Sequence, residues 1–385
     1  MELQTFQFHA KDNRWTVKEF PKLDSKNTLV LIFAAPEFIN NPASIIILSK
    51  HYPTSKIIGC STAGEICGGT ISDNSLSVAV LKFTKTNIVI HKEKITAMEN
   101  SYETGEALAT KFDQENLRGM LVLSEGLGIN GSELVKGLNS VLTDDVIVTG
   151  GLAGDGSDFK QTWVIFDGKI IKDHVVAVGL YGGHVQISHG SKGGWDIFGP
   201  QRLITRSDNN VLYELDNKPA LELYKTYLGD KAAGLPATGL LFPLAIREHS
   251  TDTKQLVRTI LGVDEKTNSL TFAGDVPTGY YAQLMRANFD RLITGASEAS
   301  QMALCGKPDS KKGEAPQLLI AISCVGRRLL LGERTEEETE VTLDAFPKNT
   351  QQVGYYSYGE ISPFTTGRCD LHNQTMTLTC ISEGI

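Results

Sequence analysis

IIGCSTAGEI, residues 57–66, is a β-branched run that breaks into Gly59, Cys60, Ser61, Thr62, Ala63, Gly64 and Glu65. Three readings are open for it: a nucleophile on a sharp turn, an anion cradle, or a structural corner. GYYSYGEI at 354–361 repeats its Gly-x4-Gly-Glu-Ile spacing, and GGLAGD at 150–155 resembles the last part of it. Around each corner the chain reads strand, helix, strand, corner, strand, over 28–95, 119–182 and 317–381. That repetition predicts an α/β (mixed α+β) fold of three related units, with mixed sheets flanked by helices. A repeated corner that exchanges Cys60-Ser61 for Tyr355-Tyr356 behaves as architecture, so Cys60 reads as a small buried residue. Gly64, Gly154 and Gly359 permit a positive-φ turn or the close approach of a ligand. Glu65, Asp155 and Glu360 follow those glycines, either bonding the turn backbone or converging on a pocket.

Working outward, residues 75–83 and 87–95 read as a hairpin about Lys85-Thr86, and 161–182 contains another turned at Asp167-Gly168. Between the second and third units, 194–218 reads as a glycine-rich connection and a strand pair. Pro219 then opens a helix, and a smaller sheet follows. The expected domains are 1–200, holding the first two units, and 201–385, holding the third.

The chain has 385 residues, 41% hydrophobic and 21% charged, with ample apolar mass for a core. Its 37 basic and 45 acidic residues give a net charge of −8. Arg327-Arg328 and Lys311-Lys312 are isolated pairs rather than the basic stripe that phosphate binding needs, so a nucleic-acid role is not expected. The six cysteines form no CxxC and no dense pattern, which fits reduced thiols in the cytoplasm. No run approaches 18 uninterrupted apolar residues, so no membrane-spanning helix is expected.

Gly126-Leu127-Gly128-Ile129-Asn130-Gly131 spells GxGxxG between a strand and a helix. The next strand ends in Thr149-Gly150 and not in the acidic residue that binds a ribose. A tight turn with Asn130 or Ser132 capping the helix is the better reading. Neither HExxH nor CxxCH is present. His189 and His372 stand as single candidates for an axial haem ligand. Arg327, after the first strand of the third unit, is placed to take an anionic ligand or to pair with Glu360 or the acidic helix. The run EEETE at 336–340 reads as a solvated helix face.

IIGCSTAGEI, GGLAGDGSDF, SHGSKGGWDIFGP, YELDNKPALELYKTYLG, FAGDVPTGY, SCVGRR, GYYSYGEI and LHNQTMTL, taken in order over 28–381, resemble the FIST sensory proteins. GSKGGWD departs from the family pattern, where a shorter stretch stands before Phe198-Gly199-Pro200. The resemblance implies a non-enzymatic signal-input protein of bacteria or archaea. It would bind a small ligand, an amino acid or similar metabolite, and regulate a separate partner such as a histidine kinase. Some similar stand-alone members are haem proteins that sense nitric oxide, which makes haem a candidate cofactor through His189 or His372. The residues expected at the ligand are Cys60, Ser61, Thr62, Gly64 and Glu65, then Gly154 and Asp155, then Arg327, and last Tyr358, Gly359, Glu360 and Asn373. An enzyme using Cys60 or Ser61 as nucleophile is the alternative of another class, and it requires a base within hydrogen-bond reach.

Overall fold

The computed structural model describes residues 1–252, 255–305, 316–363 and 368–384; Lys311-Lys312 lies outside them. Unit I has strands Glu2–His9, Thr28–Ala34, Lys56–Ser61 and Ser75–Lys82, a hairpin Glu65–Cys67/Thr70–Ser72, and helix α1 (Ala43–His51). Unit II repeats the plan with Asn87–Lys94, Leu117–Ser124, Ile147–Leu152 and His174–Tyr181, hairpin Val164–Phe166/Lys169–Ile171, and helices α2 (Ser101–Thr110) and α3 (Gly131–Val141). Unit III has Val185–Lys192, Gln317–Cys324, Thr350–Ser357 and Met376–Glu383, with hairpin Gly359–Pro363/Cys369–His372. An insertion over 196–286 follows its first strand, with helix α4 (Ala220–Leu228); helices α5 (Phe289–Cys305), α6 (Val325–Leu331) and α7 (Thr335–Asp344) complete the unit.

In each unit the four long strands lie in the spatial order third, second, last, first. The second and third run parallel, as Thr28–Ala34 does to Lys56–Ser61, and a parallel pair needs a crossover; α1, α3 and α6–α7 supply it. The hairpins are exchanged. Unit II's pairs with Lys56–Ser61 of unit I, unit III's with Ile147–Leu152 of unit II, and unit I's with Thr350–Ser357 of unit III. The exchange closes a three-fold ring, so no unit can finish its sheet alone.

The second strands are buried on both faces, which is why they read as continuous apolar runs. Leu29, Leu31 and Phe33 meet Leu121, Leu123, Leu318 and Ile320 in a central core shared by the three sheets. The alternate side chains Val30 and Ile32 pack outward with Ile45 and Leu48 of α1. The insertion is a separate eight-stranded sheet with its own core around Ile204, Leu221, Tyr224 and Phe272. It docks on unit II through Asp275, which accepts from Asn130 Nδ2 at 2.8 Å and from Lys136 Nζ at 3.1 Å.

Two local expectations change. The hairpin expected about Lys85-Thr86 does not form, because Ser75–Lys82 pairs within unit I whereas Asn87–Lys94 pairs with His174–Tyr181 of unit II. The Glu383 carboxylate holds that turn by accepting the N–H groups of Thr84, Lys85 and Thr86. Each unit therefore begins one strand earlier than the sequence pattern suggested, and unit III takes its first strand from residues before 200. The Asp167-Gly168 hairpin is present, with both turn residues at positive φ (49° and 72°).

Candidate functional site

The three corners meet on the pseudo-three-fold axis. Gly59, Gly150 and Gly354 are equivalent, opposite Ile32, Val122 and Ala321 of the second strands. Four residues after each glycine an N–H reaches across to a neighbouring corner. Ala63 donates to the Tyr356 carbonyl (2.8 Å), Gly154 to Ser61 (3.1 Å) and Tyr358 to Leu152 (3.3 Å). The three bonds form a closed cycle, so the corners hold the fold together. The residue after each glycine, Cys60, Gly151 or Tyr355, points at the axis. Only one large side chain fits there: Tyr355 stacks on Phe33 at 4.8 Å, and a Cβ on Gly151 would lie 2.9 Å from its hydroxyl. Convergence on one axis explains why this position differs among the repeats.

Cys60 is fully buried, and burial pushes its thiol far above the ordinary value. Ser61, also fully buried, accepts the Trp163 N–H at 3.1 Å. Neither is placed as a nucleophile. Iodoacetamide on the native protein is expected to leave Cys60 unmodified, with labelling appearing only on denaturation; mass spectrometry of the peptide carrying residue 60 reads this out.

Glu65 and Glu360 are true equivalents. Glu65 accepts from Thr62 Oγ1 and from the N–H and hydroxyl of Ser75; Glu360 accepts from the Ser357 hydroxyl and from the N–H and hydroxyl of Thr375. Asp155 is different. It stands one place earlier, with Gly156 at the glutamate position, and accepts from the N–H groups of Phe159, Lys160 and Gln161 and from the Tyr358 hydroxyl. Burial pushes both glutamates up to about 8, against the lowering effect of their hydroxyl and N–H donors. A folded pKa above the unfolded 4.5 gives stability that is full below about 4.5 and is lost as pH rises to about 8. Glu360→Gln is expected to flatten that fall by a few kcal/mol, an order-of-magnitude figure, measured by urea midpoints at pH 5 and 8.5.

Arg327 is completely buried, and its five N–H groups are all used. Nε and one terminal nitrogen engage Glu338 of α7, and the remaining donors reach the carbonyls of Gly193, Leu292 and Gln374. It holds protein rather than ligand. Glu338 is likewise fully buried, so the EEETE run is not wholly a solvated face as expected. In the GxGxxG stretch Asn130 caps α3, its side-chain oxygen accepting from Ser132 and Glu133. The phosphate reading of that motif is set aside.

Of the carbonyls on Arg327, that of Gly193 belongs to the lining of a cleft of about 400 Å³, and those of Leu292 and Gln374 belong to the residues next to its lining residues Arg291 and Thr375. The cleft lies where the chain leaves unit III for the insertion at Gly193-Gly194-Trp195 and returns at 285–291. Arg291, Thr294, Glu298 and Met302 of α5 line it at helical spacing on one face. Trp195, Val257 and Met285 supply an apolar side; Ser191, Thr375 and His372 supply a polar one. From that side a hydroxyl chain runs inward. Ser191 meets Thr377 at 2.8 Å, Thr377 meets Thr375 at 3.2 Å, and Thr375 donates to Glu360 at 2.9 Å. Of the expected residues, His372 lines the cleft, while Glu360 reaches it only through Thr375 and Arg327 only through Gly193. The structure leaves Cys60, Ser61, Thr62, Gly64, Glu65, Gly154 and Asp155 at the corners, with Tyr358 and Gly359. Asn373 is buried in the 372–375 turn, its Nδ2 donating to the His372 carbonyl at 3.1 Å.

His372 Nε2 lies 2.9 Å from the Ser362 carbonyl. His189 has a buried Nδ1 with no hydrogen-bond partner, and burial lowers its pKa toward the neutral form. It does not line the cleft. The two histidines do not share a site, and no cluster of three metal-ligating side chains occurs among the described residues.

The FIST N domain family matches residues 28–218 and the FIST C domain family matches 220–363. An uncharacterized protein of Methanocaldococcus jannaschii is 24% identical over 351 residues, covering 81% of this chain. The match spans 65% of that relative's own length. A crystal structure of cyanuric acid hydrolase from A. caulinodans aligns over 93% of this chain and 90% of its own, with a TM-score of 0.34 and 9% identity. No helix among the described residues is long and apolar enough to cross a membrane. With both domain families matched in order across most of its length, the chain belongs to the FIST family, whose domains are small-ligand sensors of signal transduction.

Proposed function

We propose that this chain is a non-enzymatic cytoplasmic signal-input protein whose ligand occupies the cleft between unit III and the insertion. A separate signalling protein, such as a histidine kinase, reads its state. The observation that carries this reading is the chemistry of the α5 face. Arg291 and Glu298 lie on it two helical turns apart, with Lys192 3.8 Å from Glu298, hydroxyls on the inner side and Trp195 and Met285 opposite. Such a cleft suits a small zwitterion: a carboxylate that competes with Asp196 for Arg291 and with Glu298 for Lys192, an ammonium that then takes Glu298, and a side chain on the apolar wall. Because both chain crossings to the insertion border the cleft, a ligand there has differential contacts with any two positions of the insertion.

Thermal unfolding against the twenty amino acids tests it. At a hundred times Kd, binding adds about 2.7 kcal/mol, a clear rise in Tm, and Arg291→Ala and Glu298→Gln should each abolish that rise. A rise that persists in both variants would place the ligand elsewhere. Haem finds weaker support, since His372 is engaged by a backbone carbonyl and His189 stands apart from the cleft. An absorption spectrum of the freshly purified protein decides it, because a Soret band lost in His372→Ala would restore that reading.

A further inference from the structure

We propose that a second groove, on the opposite side of helix α6, is the docking surface for a basic segment of the signalling partner that carries an apolar anchor. This rests on the reading above in one respect: that the output goes to another protein.

The groove, of about 540 Å³, lies between the Ala63 corner, Gly156-Ser157 of the second corner and helices α6 and α7. Its floor is apolar, made by Ala63, Ile71, Val325 and Leu329, and Leu329 is 49% exposed. Its rim is acidic. Glu333 and Glu336 line it, and neither has a cationic partner among the described residues. The only cation in the lining, Arg328, is already neutralised by a bidentate pair with Asp73, both bonds at 2.8 Å. An apolar floor under two uncompensated carboxylates favours a segment with lysine or arginine flanking a leucine or phenylalanine, and disfavours an anionic membrane surface.

The position explains how such a partner would sense the cleft. Arg327 and Arg328 are neighbours on the seven-residue helix α6 and serve opposite sides. Arg327 binds the carbonyl of Gly193, which lines the ligand cleft, and those of Leu292 and Gln374, the chain neighbours of the lining residues Arg291 and Thr375. Arg328 binds the Ala63 carbonyl at the groove, and its guanidinium lies against Gly64, where a Cβ would be 2.3 Å from it. Gln374 lies where the cleft side meets α6. It is fully buried at φ 62°, both side-chain amide atoms lack a partner, and it packs against Gly326 of the same helix. Movement of the cleft walls therefore shifts α6, and with it the groove floor at Val325 and Leu329.

The probe is a fluorescein-labelled peptide with a Leu-Phe pair flanked by lysines on both sides, beside versions flanked by glutamate and by serine. Fluorescence anisotropy is read with the full chain. The lysine peptide is expected to bind saturably, at least tenfold tighter than the serine version, and to weaken at least tenfold with Leu329→Asp and with Glu333→Lys/Glu336→Lys. These are surface positions, and unchanged melting curves confirm the fold. Equal binding of all three peptides, no binding of any, or binding indifferent to both variants overturns the proposal. The amino acid that raises Tm, added at saturation, should change the lysine-peptide Kd severalfold; an unchanged Kd overturns the coupling through α6. Failure of the amino-acid screen itself would strike the ligand cleft and leave the peptide result standing.

Discussion

Arg327→Met is expected to cost about 3–5 kcal/mol, the usual penalty for removing one partner of a buried ion pair. Glu338 would be left as a charge with no solvent, held only by the hydroxyls of Ser323 at 2.6 Å and Tyr356 at 3.3 Å. The carbonyls of Gly193, Leu292 and Gln374 would lose donors at the same time. The double variant Arg327→Met/Glu338→Leu separates the two contributions. It removes the stranded charge, so it should recover part of the loss, while the three carbonyls remain unserved and keep it below wild type. Urea unfolding measures both. Ligand binding gives a readout that stability alone does not: the double variant, although refolded, should lose the amino-acid effect on Tm because the cleft walls are no longer tied. A double variant that binds normally would reduce Arg327 to a local ion pair with no hold on the cleft.

The same residue shows what could be read in advance. SCVGRR marks Arg327 as an arginine after a strand, open to an anionic ligand or to pairing with Glu360 or the acidic helix. What no spacing could indicate was that all five donors would be spent on protein. That depends on Gly193, Leu292 and Gln374, which are far apart in the chain and meet only after the ring of sheets closes. The corners were legible for the opposite reason. Each is a local event, a glycine opposite a carbonyl, and a local event repeats in sequence when the unit repeats. The exchanged hairpins were hidden, since Glu65–Cys67 pairs with Thr350–Ser357 and nothing in either segment names its partner. The same is true of Ser75–Lys82 and Asn87–Lys94, two runs separated by a short turn that look like a hairpin until the ring sends them to different sheets. The α5 face with Arg291, Thr294 and Glu298 had a usable signal in its helical spacing. It lies beyond the insertion, outside the repeated pattern. Likewise GSKGGWD, met as a departure from the family pattern, places Gly193, Gly194 and Trp195 on the cleft.

Gly354→Ala is expected to cost at least about 4 kcal/mol, in the range reached only by a specific structural failure. A Cβ there would lie 1.8 Å from the Ala321 carbonyl oxygen, 2.6 Å from its carbon and 2.9 Å from its nitrogen. All three are backbone atoms of the central strand, so no side-chain rotation can relieve the overlap. The parallel pair Gln317–Cys324 and Thr350–Ser357 would have to part at its registered position, Ala321 opposite Gly354. The neighbouring axis is filled by Tyr355, which leaves no slack on the inner side. Because the ring is pseudo-symmetric, Gly59→Ala and Gly150→Ala should fail in the same way, against the Ile32 carbonyl oxygen at 2.0 Å and the Val122 carbonyl oxygen at 1.8 Å. Gly68→Ala is the control. That glycine has φ 61° but no atom within 4 Å of its Cβ, so it carries only the left-handed backbone penalty of about 1–2 kcal/mol. Urea midpoints of the four variants, or their soluble yield where folding is lost, set the three axial glycines against the control. Four equal costs would mean that the axial glycines carry no more than an ordinary turn glycine does. A large gap would mean that they mark the contact on which the three units close.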